Sequence, residues 1–556
     1  MARRSLELTL TLALVLGTLA GCASQERRGA EPGRPHLFDG MGQHTRTVTT
    51  DSARAQQYFN QGLVWAYAFN HDEAIRSFAE AARLDPKCAM AWWGVALCNG
   101  PHINNAVVPE ERGRAAWEAL QNAQALRRYA NPTEQALIDA LAHRYADPPP
   151  SDRGALDQAY ADAMREVWLA HRNDSDIGTL YAEALMDLQP WDLWTAEGEP
   201  KGIAPEAVAV LEHVLALDPH HPGAAHLYIH AVEASPHPER ALAAADVLRT
   251  AVPIAGHLVH MPAHIDVRVG KWQSAADQNV AAIAADRRYR QIVPKHGFYH
   301  LYMAHNHHFL AWASMMEGRY EAALKAAREM VAGVPPEFIE SDGQVVDTVA
   351  GIGFEVLMRF GRWDDVLAEP EPPPALPITR ALWRFARGVA YAAKGQLEDA
   401  LAERRRFQEA VALVPEGAMM ATNPATDVLA IADHMLAGEI LYRRGRIDEA
   451  AFELRKAVAI EDRLRYMEPP DWIQPVRHTL GAVLTAGGRY GQAEAVYRED
   501  LKRWPDNGWS LYGLAQCLKA RGADEEAAAV EARFARAWSR SDTKISSSCL
   551  CVSRAE

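Results

Sequence analysis

Three short stretches of this sequence hold histidine at spacings that could do chemistry. "AAHLYIHAVEAS" places His226, His230 and Glu233 four and then three residues apart. "AGHLVHMPAHI" places His257, His260 and His264 three and then four apart, and "YMAHNHHFLAWAS" adds His305 and His308. On a helix, residues three and four apart share one face, so each stretch would present its imidazoles as a row. Imidazole with carboxylate is the donor set of Zn, Cu, Fe or Ni. The expected cofactor is therefore a divalent transition metal, Zn or Cu first and Fe next. Open coordination positions would turn such an ion to activating water or oxygen, and a saturated shell would favour storage or structure. Glu233 and, one helix earlier in "TLYAEALMDLQPWDLW", Glu183 are the carboxylates placed to act as ligand or general base. Asp192 is placed to orient a histidine from behind.

The elements that would carry these rows repeat. From Ala55 the chain reads "AQQYFNQGLVWAYAFNHDEAIRSFAEAARLDP". With Ala55 as first position, Gly62 is eighth, Trp65 eleventh, Ala74 twentieth, Phe78 twenty-fourth and Pro86 thirty-second. Small residues at the eighth and twentieth positions let paired helices approach, large ones fill the gap between them, and the proline ends the second helix. Gly-x-aromatic recurs between helices at Gly270-Lys271-Trp272, Gly318-Arg319-Tyr320, Gly361-Arg362-Trp363 and Gly488-Arg489-Tyr490. No alternating strand pattern of any length is present.

This pattern resembles the tetratricopeptide (TPR) repeat of about 34 residues. The resemblance covers about residues 52–540 and is weakest over 100–175. It implies an all-α fold, a TPR-type α-solenoid of antiparallel helix pairs forming a right-handed superhelix. It also implies that the second, fifth, ninth and twelfth positions of each repeat face a concave groove. In that frame His257, His260 and His264 fall at the second, fifth and ninth positions, and His226, His230 and Glu233 at the fifth, ninth and twelfth. His305 and His308 fall at the second and fifth positions of the next repeat. Three successive first helices, about 10 Å apart, would thus aim seven imidazoles and a carboxylate at one stretch of groove. Pro262 lies inside the second of them and should kink it. His220, His221, His237, His296, His300 and His307 fall in loops or off the rows and are read as solvated or locally satisfied side chains. A metal-free polar groove for a peptide or small molecule, and simple coincidence among 22 histidines, are the competing readings of the rows.

Composition bounds the rest. The chain has 556 residues, a net charge of -14 and 49% hydrophobic residues, with a pI of about 5.9. That length predicts an elongated repeat or several domains, and the acidic balance argues against a nucleic-acid partner. The start, "MARRSLELTLTLALVLGTLAGCAS", reads as a signal peptide. "LAGC" resembles a bacterial lipobox, which implies a lipidated Cys22 and, with Ala23 after it, an anchor in the outer membrane facing the periplasm. The predicted organisation is a signal over 1–22, a flexible tether over 23–50 and a TPR block with the histidines over 51–367. A second block follows over 378–540, beyond the proline-rich "AEPEPPPALP", and then a disordered tail over 541–556. Cys88, Cys98 and Cys517 read as buried small hydrophobes; an oxidising envelope permits a disulfide, though no spacing demands one, and the tail's Cys549-x-Cys551 pair could bind metal, a frayed tail being a poor place for it. "YMEPPDWIQPVRHTLG" (466–481) is expected to form a distinct turn over the groove. No GxxxxGK[ST], GxGxxG, GxSxG or HExxH occurs. Two classes of function remain: an envelope-anchored metal-binding protein, whether enzyme or carrier, and an interaction scaffold holding a partner peptide in its groove, best placed over residues 381–520.

Overall fold

The computed structural model describes residues 35–295, 297–334 and 336–552. The signal, Cys22 and His296 lie outside them. Among the described residues regular structure is helical, apart from a two-stranded ribbon pairing Met419–Met420 with Asn423–Pro424. The helices pair antiparallel, each packed on its partner and on the next pair, as in Ala53–Tyr67 with His71–Leu84, Pro222–Val232 with Leu242–Ala251, and His300–Met316 with Tyr320–Ala332. This is the all-α, TPR-type solenoid that the repeat predicts. No helix of the described residues is long and apolar enough to cross a membrane.

The signature residues do what their chemistry requires. A Cβ on Gly62 would stand 2.8 Å from the Phe78 ring and one on Gly94 2.6 Å, so the three helices meet only because neither residue has a side chain. Gly270 turns the chain at φ 79°, a conformation glycine adopts without penalty. The Lys271 N–H then donates to the Asp266 carbonyl at 2.7 Å, closing the helix end as a Schellman turn. Pro262 splits its repeat's first helix into Gly256–His260 and Pro262–Arg268, as expected of a residue without a backbone donor.

The ends of the described chain differ from expectation. The segment read as tether packs from Leu37 to Thr50. Phe38 stacks on Tyr289 at 5.6 Å and meets the edge of Trp65 at 5.3 Å, and the Arg46 guanidinium bonds Asp174 and Asp176. Phe38 and Val48 are apolar anchors inside a stretch whose Gly, Arg and Pro content suggested otherwise. The tail read as disordered also packs. Ser548 bonds Tyr497 at 2.6 Å and the His478 carbonyl at 2.7 Å, and Cys549 and Cys551 form a disulfide. Cys88, Cys98 and Cys517 are buried free thiols, as expected.

The proline-rich break does not isolate two blocks. One hydrophobic core runs from Phe38 to Met303 and another from Phe354 to Val552. A third joins them: Trp272, Trp312, Ile473, Trp504 and Trp509 pack together. Trp312 and Trp504 lie edge to face at 5.2 Å. The Trp272 indole donates to the Pro505 carbonyl at 2.8 Å and that of Trp509 to the Met315 carbonyl at 2.9 Å. The last repeats thereby bring the loop after Glu461 onto the histidine-bearing helices.

Candidate metal centre

Each histidine row lies on the first helix of its pair. His226, His257, His260 and His264 are almost fully buried, as is Glu233. Several of the rings have one nitrogen fixed by an atom that can only accept. His226 Nδ1 lies 2.7 Å from the Tyr67 carbonyl, one of those left without a partner at a helix C-terminus. His230 Nδ1 lies 2.9 Å from Glu233 Oε1. His260 Nδ1 lies 2.8 Å from Asn279 Oδ1, and the Asn279 amide is itself oriented by donating to the Ala275 carbonyl at 2.8 Å. Each Nδ1 must therefore carry the proton, which leaves Nε2 with its lone pair. Fixing the far nitrogen in this way is how proteins aim imidazole at a metal.

The other nitrogens converge. His226, His230 and His257 form one group whose ligand atoms all lie within 4.8 Å of one another, and His260, His264 and His305 form a second. Nε2 of His226 and His257 are 3.1 Å apart, and those of His260 and His264 2.8 Å. With metal–nitrogen bonds of about 2.0–2.1 Å, two nitrogens on one ion stand roughly 3 Å apart.

A third group is Glu233, His264 and Glu468. His264 Nδ1 is 2.7 Å from Glu233 Oε2 and 3.1 Å from Glu468 Oε2, yet all three atoms are buried without a properly directed hydrogen bond. His264 thus turns one nitrogen to each of two groups.

The electrostatics favour neutral imidazoles. Burial, followed by the neighbouring rings, pushes His226, His257, His260 and His305 well below the usual histidine range. His264 is the exception: burial would lower it, but Glu233 and Glu468 hold it up at about 10. Glu233, against the pull of its burial, is held down at about 2 by His264 and His230. Burial pushes Glu468 up to about 6.

Some candidates do not join. His308 stands outside all three groups; it faces the same cavity, and burial lowers it to about 4. Glu183 does not face the histidines of the cluster. It lies in a separate pocket with His71, Arg144 and Leu180, where burial and then the charge of Asp187 raise it to about 8. Asp192 orients no histidine; it pairs with Lys201 at 2.5 Å. Glu468 was missed. It comes from the loop expected to turn over the groove, and a lone acid in a loop has no period to reveal it. His221 was set aside as a loop residue, yet it is fully buried with His44 and Asp176. That trio is a satisfied network rather than a ligand set. His221 Nδ1 accepts the Ala224 N–H at 3.0 Å. Asp176 accepts from His221, His44, Arg46 and the Tyr67 hydroxyl.

An open cavity of about 670 Å³ reaches His230, His257, His264, His305 and Glu468. Metal held by these residues would have one side facing that space.

No protein-family model matches the chain, and no curated protein matches its sequence. Similar solved structures include a human IFIT1 dimer with m7Gppp-AAAA, at 14% identity over 88% of this chain and 90% of that one, with a TM-score of 0.33. The Cut9–Hcn1 hetero-tetramer of APC/C is similar at 13% identity, 90% and 79% coverage and a TM-score of 0.32. Yeast Tom70 is similar at 11% identity, 85% and 90% coverage and a TM-score of 0.29. Likeness at this level carries nothing about the site.

Proposed function

We propose that this protein binds divalent transition metal, Zn or Cu in preference to Fe, through His226, His230, His257, His260, His264, His305, Glu233 and Glu468. The observation that carries the reading is the convergence of buried donor atoms in groups of three, all within 4.8 Å of one another, with His230 Nε2 buried and without a hydrogen-bond partner. A buried polar atom left without a partner costs about 1–3 kcal/mol, and an ion satisfies several at once. The groups open onto a cavity, so an ion with a free position would meet whatever enters, which is the arrangement of a catalytic rather than a purely structural site.

Elemental analysis of chain expressed without a His tag, with Zn, Cu and Fe each supplied, tests the reading. At least one ion per chain is expected, falling in His230→Ala and in His260→Ala. Less than about a tenth of an ion per chain would overturn it.

The same proposal places the protein in the cell envelope, lipid-anchored at Cys22. The support is the sequence of the first residues. Cys22→Ser should move the protein from the membrane fraction to the soluble one; an unchanged fractionation would defeat the anchor and leave the metal reading standing. The scaffold alternative is weaker where it was best placed. The groove positions Phe385, Val389, Met435 and Glu439 face Trp472, Ile473, Cys549 and Cys551 of this same chain.

A further inference from the structure

The cavity beside the histidines is built for more than solvent. Its walls include Trp191, Phe298, Tyr302, Met330, Met419 and Ile473. At about 670 Å³ it falls within the roughly 300–1,000 Å³ of pockets that hold small organic ligands. One end is polar, and two of the imidazoles there, His230 and His257, have a buried nitrogen without a partner. Charge decides what suits the remainder. Asp347, Glu355, Glu416, Glu468 and Asp471 lie on the lining, and among the described lining residues there is no Lys or Arg. Asp347 is already committed, accepting the N–H groups of Ile378 and Thr379 at 2.8 Å each, and Asp471 accepts from Asn423 at 2.8 Å. An anion would meet these carboxylates, and the one cationic side chain there, His264, is already paired with Glu233 and Glu468; an organic cation would exchange its hydration for largely apolar walls. An uncharged molecule meets neither cost.

We propose that this cavity binds an uncharged, largely apolar organic molecule of several rings, seated with one donor atom towards the histidine face. The part of this that concerns the donor atom rests on the metal reading above; the charge selectivity is that of chain freed of metal by chelator, since a bound ion would itself be a counter-charge, and the titrations are made on such chain. Methionines at 330, 419 and 467 give the wall polarisable, adaptable contacts, which suits a bulky apolar ligand.

Two probes of one skeleton test it: neutral N-phenylnaphthylamine and its sulfonated counterpart, anilinonaphthalene sulfonate. Fluorescence titrations would use the full chain with Cys22→Ser, so that no lipid competes for the probe. Saturable binding of the neutral probe is expected, at least about tenfold tighter than the sulfonate. Ala418→Trp, which fills the lining, should weaken the neutral probe by about tenfold or more. Ala418→Lys should strengthen the sulfonate. Equal binding of the two probes overturns the proposal, as does an unchanged neutral-probe affinity in an Ala418→Trp chain of native circular dichroism. Metal content measured on the same samples separates the readings. Neutral-probe binding with the expected selectivity in chain that takes up no metal would sink the metal centre and keep the cavity; full metal occupancy in chain that shows no such selectivity once the metal is stripped by chelator would do the reverse.

Discussion

At the scale of single residues, His264 is the most demanding position in the cluster. One nitrogen faces His260 Nε2 at 2.8 Å, and the other faces Glu233 Oε2 at 2.7 Å. His305 and Glu468 each serve one group only. His264→Ala should therefore lower metal content more than His305→Ala or Glu468→Gln does, measured by elemental analysis on equally folded samples; equal losses would show that the two groups do not share a ring. Asn279 is a positioning residue. Asn279→Leu leaves every ligand in place but removes the acceptor that holds His260, so metal affinity should fall by about 10–100-fold with little change in thermal stability. The sequence made the histidine rows legible because ligands on a helix must recur at three and four. The same argument failed for His308, which has the right spacing from His305 but not a convergent direction. It failed too for Glu183, whose helix turns that face towards Arg144. Glu468 had no pattern to find, since it reaches the site through tertiary packing from a distant loop.

At the scale of elements, the break at Pro262 sets the angle between His257 and His264. Pro262→Ala would let Gly256–Arg268 run as one helix, adding a backbone hydrogen bond and helix propensity. The expected result is retained or raised thermal stability with reduced metal content; unchanged metal content would mean that the kink is not what aims the rings. A second junction, between the helix Ile447–Glu461 and the helix Val476–Ala486, carries a pH dependence. Burial pushes Glu461 up to about 7, and its carboxylate oxygens lie 3.3–3.4 Å from the Val476 N–H. In the unfolded chain this acid titrates near its ordinary value of about 4.3. Its contribution to stability is thus fully present below that value and is lost as pH rises through about 7. Glu461→Gln, which keeps an acceptor for Val476, should raise the urea midpoint at pH 8 relative to the parent and leave it closer to the parent at pH 5. The repeat signature made these helix pairs legible through glycine, alanine and proline positions. The anchoring of residues 37–50 was hidden because one Phe and one Val do that work inside a segment of otherwise flexible composition.

At the scale of the whole molecule, the tryptophans couple what the sequence divides. Trp504 is nearly buried between Trp272 and Trp312. Trp504→Ala should cost about 3–5 kcal/mol and split a single thermal transition into two, with proteolysis gaining access near residues 368–377. A single transition at lower temperature would mean that other contacts suffice to join the halves. Separate cores were the natural expectation from a proline-rich break, because composition shows where a chain can bend and not what it folds back upon.

Glu468 lies on one side of that junction and Glu233 on the other, both facing His264. A polypeptide emerging during synthesis would complete its imidazole rows long before the glutamate that closes the last group has arrived. Cargo loaded before then would sit in a shell missing one wall, free to exchange. On the proposed metal reading, the ion's final affinity would be a readout of maturation, reached only once the C-terminal repeats have docked, and a nascent or clipped chain would hand its metal back.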